Sequence, residues 1–441
     1  MELDPRLMLR VLVLATALPA AFSWGVGSPI PSTQRAKPTA QRADVGRVRA
    51  IAELVRTDEK PALGNVLPDC PPTIWSADDL DVDAWQKTYR EERDGRVCPI
   101  EIEATPAANA AGKEYFVQRR EEFKEMLEEH GTIWFKGFDL MKDADGFREF
   151  WESLDLDPCL DPIHSSGLRK FLSKKDAVYE EVNKQALAKH YIGLHNESTF
   201  KKTATTGAFV CFKPATIKGG EFMIADGEAI FRDMDPEILK KLIENKVRIS
   251  VSNLDFDFLL PLPDSPKEAA MEKLKTMVDE MIAPKFDMDL DMIYGTDGKE
   301  MRLQAIENPQ SPVNRHPKTG RPVWFCNMHN HARYLRERRP CSVPEVGMTD
   351  VFWGDLSIIP GDVLDHVNEV CEKNIARVPM QPGDVLLCDN YRVLHGRDIF
   401  EGDRLHAVSW FGEQPEGVER KEQDAASNVL NSFINKFVVG E

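Results

Sequence analysis

A chain of 441 residues can bury a sizeable core, as one large catalytic domain with lobes or as two smaller domains. Hydrophobic residues at 42% and charged residues at 29% exclude a disordered or membrane-embedded polypeptide, and a net charge of −17 argues against a nucleic-acid surface. The eight cysteines show no C-x-x-C and no dense spacing, so they read as reduced, mostly buried thiols in a reducing compartment, not as a disulfide framework or a zinc site.

At the N-terminus, Arg6 and Arg10 flank an apolar run at residues 11–18, followed by Pro19-Ala20-Ala21-Phe22. This has the form of a secretory signal with a small-residue cleavage site, and it is too short to span a bilayer. Between residue 23 and about residue 50, Arg35, Lys37, Arg42, Arg47 and Arg49 stand against one acid, Asp44, among Ser, Thr, Pro and Ala. That is transit-peptide composition. The tandem, with Phe22 at the junction, resembles the two-part plastid presequences of algae with secondary plastids. Residues 1–50 are therefore read as a presequence and the location as a plastid, with the secretory pathway as the alternative and no integral membrane span in the mature protein.

Residues 51–112 carry six prolines and read as an irregular lead-in with a short helical patch around Asp81 to Glu92. From Lys113 the positions of Phe116, Phe123 and Met126 predict a helix that His130-Gly131 ends. Thr132 to Lys136 is a β-type run, and Asp143 to Leu154 an amphipathic helix. Residues 155–189 give no clear signal. Beyond Tyr191, β-type runs at Gly207–Lys213, Glu221–Ala225, Lys246–Asn253, Val323–Cys326, Val385–Asp389 and Leu405–Phe411 alternate with turns such as Lys218-Gly219-Gly220. Helices are expected at Asp233–Glu244, Pro266–Ile282 and Pro360–Asn374. Many short strands and few helices predict a mixed α/β chain with a mainly β core, a jelly roll decorated with helices. The catalytic domain is placed at residues 113–415 and a helical tail at 416–441.

In Leu194-His195-Asn196-Glu197-Ser198, extended backbone puts His195 and Glu197 on one face and Asn196 on the other. A third ligand would come from a neighbouring strand, and His395 in Asp389 to Arg397 is the best candidate. Two histidines and a carboxylate with open positions suit Fe(II) in a non-haem oxygenase. If the co-substrate is 2-oxoglutarate, its far carboxylate needs a fixed, bidentate cation. Arg404 is placed for that, nine residues after His395, with Arg397 as second candidate; a solvated arginine in the turn Glu401-Gly402-Asp403 is the plainer reading of Arg404. H-x-E alone is weak. Single histidines such as His190, His316 and His366 read as ordinary hydrogen-bonded residues. Met328-His329-Asn330-His331 offers two histidines with no adjacent carboxylate, and reads as pocket or packing.

Taken together, His195-Asn196-Glu197, Cys211-Phe212-Lys213-Pro214 leading to Gly219-Gly220-Glu221, Trp353-Gly354-Asp355, and Gly383 to Asn390 ending in Leu394-His395-Gly396-Arg397 resemble the taurine dioxygenase (TauD/TfdA) family. Within it the syringomycin-biosynthesis-like branch is most similar, and the likeness spans roughly residues 115–412. The resemblance implies a double-stranded β-helix, Fe(II), and 2-oxoglutarate and O2 as co-substrates. It also implies His195, Glu197 and His395 as iron ligands and Arg404 as the 2-oxoglutarate arginine. Two positions depart from it. Phe222 stands where the family usually has a threonine contacting 2-oxoglutarate, and Arg404-Leu405 where it often has two arginines. The intact Glu197 disfavours halogenation.

The function expected is hydroxylation or desaturation of an unactivated C–H bond in a small, hydrophobic plastid metabolite, with chlorophyll c synthase-like tetrapyrrole oxidation as one candidate. Phe200, Phe222, Trp324, Phe325 and Asn327 are the expected pocket walls. The alternative is a non-catalytic jelly-roll scaffold with a degenerate 2-oxoglutarate site. A cupin-like hydrolase would need a placed general base, and none stands out.

Overall fold

The computed structural model describes residues 80–92, 97–159, 191–198, 203–255, 288–294, 301–331 and 349–412, with a few isolated residues between them. The presequence, Phe200, His190, the helix expected at Pro266–Ile282 apart from isolated residues, and the tail at 416–441 lie outside the described residues. The elements used below are α1 (Val82–Glu91), β1 (Ile100–Glu103), α2 (Lys113–Gln118), α3 (Arg120–His130), β2 (Thr132–Lys136), α4 (Ala144–Ser153), β3 (Ile192–His195), β4 (Thr206–Lys213), β5 (Phe222–Asp226), α5 (Gly227–Asp233) and α6 (Pro236–Asn245). They continue with β6 (Val247–Asp255), β7 (Met288–Tyr294), β8 (Met301–Glu307), β9 (Thr349–Trp353), α7 (Gly361–Asn374), β10 (Ala376–Val378), β11 (Val385–Asp389), β12 (Val393–Arg397) and β13 (Leu405–Phe411).

Two sheets face each other, as the jelly-roll reading requires. The larger runs β1-β2-β11-β4-β13 and the smaller β10-β5-β12-β3. Period-two alternation decides which side chains go where. In β2, Trp134 points into the sandwich, whereas Ile133 and Phe135 point to the helices outside. In β11, Leu386 and Cys388 point in, and Val385 and Leu387 out. From the smaller sheet Phe222, Ile224 and Val393 meet Trp134, Phe209, Val408 and Trp410 in one buried cluster.

Helices α2, α3 and α4 cover the outer face of the larger sheet. Phe116 lies against Phe135, Phe138 and Phe150 with ring centroids 4.9 to 5.7 Å apart. Each such pair adds about 0.5–1.5 kcal/mol beyond area burial. The helix read as continuous from Lys113 is two helices, because the backbone leaves helical geometry at Arg119 (φ −112°). Gly131 ends α3 at φ 74°, and a Cβ there would lie 2.9 Å from Val393. Both the turn and the close approach of β12 require glycine.

The residues read as an irregular lead-in need correction. Ile100–Glu103 is a strand paired parallel to β2, and residues 106–111 form a short helix, so the domain begins before residue 113. Four residues of Ile-Glu alternation among prolines are too short to register as a strand from sequence.

The outer face of the smaller sheet carries Leu194, Met223, Ala225 and Leu394, packed with residues of α5, α6 and α7. A third sheet, β7-β8-β6-β9, extends from this side. Cys98, Cys326 and Cys388 are free thiols. Burial pushes the Cys326 and Cys388 thiols up to about 12, so both are protonated at neutral pH.

Candidate active site

β3 and β12 are neighbours, and His195 stands opposite His395 in their register. Their rings have centroids 4.3 Å apart. β3 ends at His195, and Glu197 follows in a bend rather than on the strand. Strand alternation is therefore not what brings Glu197 to the same side. Asn390 does it, its Oδ1 accepting from Glu197 N at 3.0 Å while its Nδ2 donates to Glu197 O at 2.9 Å and Ala204 O at 2.8 Å. One ligand atom from each of His195, Glu197 and His395 lies within 4.8 Å of the others. All three residues are buried.

The donor set fits a divalent iron. Two imidazoles and a carboxylate gathered within 4.8 Å of one another match a site whose other positions stay open. His195 is pre-oriented: its Nδ1 lies 2.9 Å from Gly193 O, so Nδ1–H donates there and Nε2 keeps the lone pair that could bind a metal. His395 packs among Phe209, Phe222 and Trp410 at 4.9, 6.2 and 5.7 Å. Phe222 stacks parallel to the His395 ring within 5°. The ring that replaces the expected threonine thus lies directly beside His395.

Arg404 is not the solvated turn residue of the plainer reading; it is buried. Its Nε donates to Gly220 O at 3.1 Å, and its guanidinium lies 5.8 Å from the Phe400 ring. Gly220 has φ 73°, and a Cβ there would come within 3.1 Å of the Arg404 side chain, so this glycine is what lets the arginine lie against the chain. Arg397 is also buried; it lies 4.8 Å over the same Phe400 ring and donates to Asp398 O at 3.0 Å.

The other expected pocket residues divide. Trp324 belongs to the core outside the smaller sheet, with Met223 and Leu394, so it is packing and not a wall of the site. Phe325 stacks on Tyr391 at 5.7 Å. Asn327 braces the backbone between His195 and Glu197, its Oδ1 accepting from Asn196 N at 2.8 Å. His329 and Asn330 join it, accepting from Leu194 N and Gly193 N at 3.0 Å each. β3 is an edge strand, and these side chains occupy the place of a next strand. His316 pairs with Asp389 at 2.8 Å and His366 accepts from Asp235 N at 2.8 Å, as ordinary hydrogen-bonded residues.

Sequence reasoning missed Asn390, the Asn327 brace and His406. An asparagine carries no spacing signal, and its use emerges only once two distant segments meet. His406 is buried. Its imidazole is held well below its ordinary range, first by burial and then by the Arg404 and Arg397 charges. The unfolded chain therefore takes up a proton below about pH 6.5 that the folded chain does not. Stability from this source is present above that pH and is lost as pH falls, by about 1.4 kcal/mol per unit. Between pH 7 and pH 5 the unfolding midpoint is expected to fall more in the wild type than in His406→Gln; equal slopes in thermal denaturation would remove His406 as the cause.

A model of the family "Taurine catabolism dioxygenase TauD, TfdA family" matches residues 103–410. The chain belongs to this family. It is a 2-oxoglutarate-dependent non-haem iron oxygenase on a double-stranded β-helix, using Fe(II), 2-oxoglutarate and O2. It is 26% identical to the dapdiamide synthesis protein DdaC of Enterobacter agglomerans over 65% of this chain and 83% of that protein. It is 24% identical to a clavaminate synthase-like protein of Arabidopsis thaliana over 63% of this chain and 81% of that protein. Among solved structures, PvcB from Pseudomonas aeruginosa is similar with a TM-score of 0.40 and 14% identity, covering 69% of this chain and 84% of that one. A taurine dioxygenase from Burkholderia xenovorans is similar with a TM-score of 0.34 and 12% identity, covering 76% and 96%. Among the described residues, no helix is long and apolar enough to cross a membrane.

Proposed function

We propose that His195, Glu197 and His395 hold the iron, that Arg404 anchors the far carboxylate of 2-oxoglutarate, and that the substrate is a small hydrophobic metabolite oxidised at an unactivated C–H bond. The observation that carries this is the convergence of one buried donor atom from each of His195, Glu197 and His395 within 4.8 Å; Arg404 is likewise buried, against Gly220 O and the Phe400 ring. When bound, iron with 2-oxoglutarate and O2 supplies the oxidising power, coupling decarboxylation of the keto acid to oxidation of the substrate. The protein's own contribution is positioning. Asn390 and Asn327 fix the backbone around Glu197, Gly193 O fixes the His195 ring, and Phe209, Phe222 and Trp410 exclude water around His395. Phe222 and the aromatic surroundings favour an apolar or planar substrate. Delivery to a plastid, and a plastid pigment or lipid as substrate, belong to the same proposal and rest on the composition of residues 1–50.

Anaerobic titration with Fe(II) and then 2-oxoglutarate tests the cofactor assignment. A visible metal-to-ligand charge-transfer band is expected on chelation. Arg404→Ala should require about 100-fold more 2-oxoglutarate, the loss of roughly 2–3 kcal/mol of charge-assisted hydrogen bonding. Iron binding with no band at high 2-oxoglutarate would mean that Phe222 closes the keto-acid site, and would favour the scaffold alternative.

A further inference from the structure

The peptide unit between Gly193 and Leu194 is bonded at both ends to a histidine. Its oxygen, Gly193 O, accepts from His195 Nδ1 at 2.9 Å, and its N–H, on Leu194, donates to His329 Nδ1 at 3.0 Å. Since His329 Nδ1 accepts, the ring proton sits on Nε2, which faces Glu372 Oε1 at 3.2 Å. The His329 side chain is fully buried, whereas that of Glu372 is 34% exposed. Glu372 stands in the last turn of α7, where Tyr191 Oη lies 3.1 Å from its Oε1 and Arg377 Nη2 3.6 Å from its Oε2.

Every bond in this series points the same way. His195 donates to a carbonyl, the same peptide donates to His329, and His329 donates to a carboxylate near the surface. We infer that this is a relay that orients His195 and raises the electron density of its Nε2, with His329 and Glu372 as positioning residues for the metal centre. A carboxylate that accepts from an imidazole strengthens the acceptor at the other end of each successive group, because hydrogen bonds in series polarise one another. The usual arrangement is a carboxylate directly behind a metal-bound histidine. Here a peptide unit and a second histidine stand between them, so the same influence reaches the centre from about the protein surface. Edge sealing alone does not explain a histidine at this place. Asn327 and Asn330 cap the neighbouring Asn196 and Gly193 N–H groups with amide oxygens, whereas the group between them is capped by an imidazole whose far nitrogen faces a carboxylate.

The inference rests on His195 being an iron ligand, and the experiment separates the two claims. Purified wild type, Glu372→Gln, His329→Gln, His329→Leu and His195→Ala are titrated anaerobically with Fe(II) and then 2-oxoglutarate, alongside thermal unfolding of the metal-free proteins. Glu372→Gln, isosteric and partly exposed, should keep its metal-free midpoint. Its Fe(II) affinity should fall on the order of tenfold, and its charge-transfer band should move to shorter wavelength, because a poorer donor leaves the iron harder to oxidise. His329→Leu should show a larger shift. His329→Gln, which keeps an acceptor and a donor in one side chain, should fall between wild type and the leucine variant. If Glu372→Gln has wild-type affinity and band position while His195→Ala has lost iron, the series is structural only and the relay is overturned. Iron retained by His195→Ala would overturn the ligand assignment, and the relay with it.

Discussion

Glu197→Ala is expected to abolish turnover, by about 10³-fold or more, while leaving the metal-free fold intact. The residue is buried in a bend whose backbone Asn390 and Asn327 hold through main-chain groups, so truncating the side chain leaves those bonds in place. What it removes is the only anionic donor of the His195, Glu197, His395 set. Two neutral imidazoles then face a divalent ion with no charge to offset it, and several kcal/mol of metal-dependent stabilisation are lost. The direct measurement is the shift of the unfolding midpoint on adding Fe(II). A ligand at 100 times its dissociation constant stabilises the native state by about 2.7 kcal/mol. The wild type should show that shift, and Glu197→Ala should show almost none at the same concentration. His395→Ala should behave alike. An undiminished iron-induced shift in either variant would move the metal away from this site.

The convergence of His195, Glu197 and His395 was legible because it is written in residue type and order: H-x-E, and a histidine closing a Gly-Asp-Val-Leu-Leu-Cys-Asp-Asn run. The sandwich was legible for a similar reason, since strands such as Val385–Asp389 and Thr132–Lys136 are apolar on both faces, and a strand buried on both faces must lie between a partner sheet and a helical layer. What sequence concealed is how the ligands are held. Extended backbone through Glu197 was a natural reading of one short stretch, yet β3 stops at His195. The turn that follows is set by Asn390, 193 residues away, a contact that no local pattern encodes. Trp324 was misplaced for a related reason: an aromatic on a short strand announces burial without saying on which side of the sheet. The Met328 to His331 stretch, which reads from sequence as pocket or packing, supplies in His329 and Asn330 the side chains that close the edge of β3. These residues form a short helix.

Arg392→Ala is expected to destabilise the fold by about 3–5 kcal/mol, the usual result of breaking a buried ion pair by removing one partner. The Arg392 side chain is 4% exposed and that of Asp226 14%, and they meet in two parallel bonds, Nε to Oδ1 at 3.0 Å and Nη2 to Oδ2 at 2.6 Å. The remaining donor, Nη1, reaches Glu129 O at 2.9 Å and Glu128 O at 3.3 Å near the end of α3. One guanidinium thus ties a helix terminus on the larger sheet to β5 on the smaller one, three residues before His395. Asp226 has a second duty, capping α5 by accepting from Glu228 N at 2.9 Å. Burial by itself would raise the Asp226 carboxyl, but Arg392 holds it below its ordinary range. Its depressed folded pKa means that this stabilisation is present above the unfolded value near 3.9 and is lost only as pH falls below it. With Arg392 gone, burial raises the Asp226 carboxyl, so the deficit in Arg392→Ala should hold or grow, and not shrink, as pH rises from 6 to 8. Asp226→Asn in the Arg392→Met background keeps the helix cap while removing the orphaned charge, and should recover a substantial part of the loss. A double-mutant cycle by denaturant unfolding measures the coupling. Additive single effects would mean that the two side chains, although bonded, stabilise the protein independently, and that the junction beneath His395 is held by the α3 carbonyls instead.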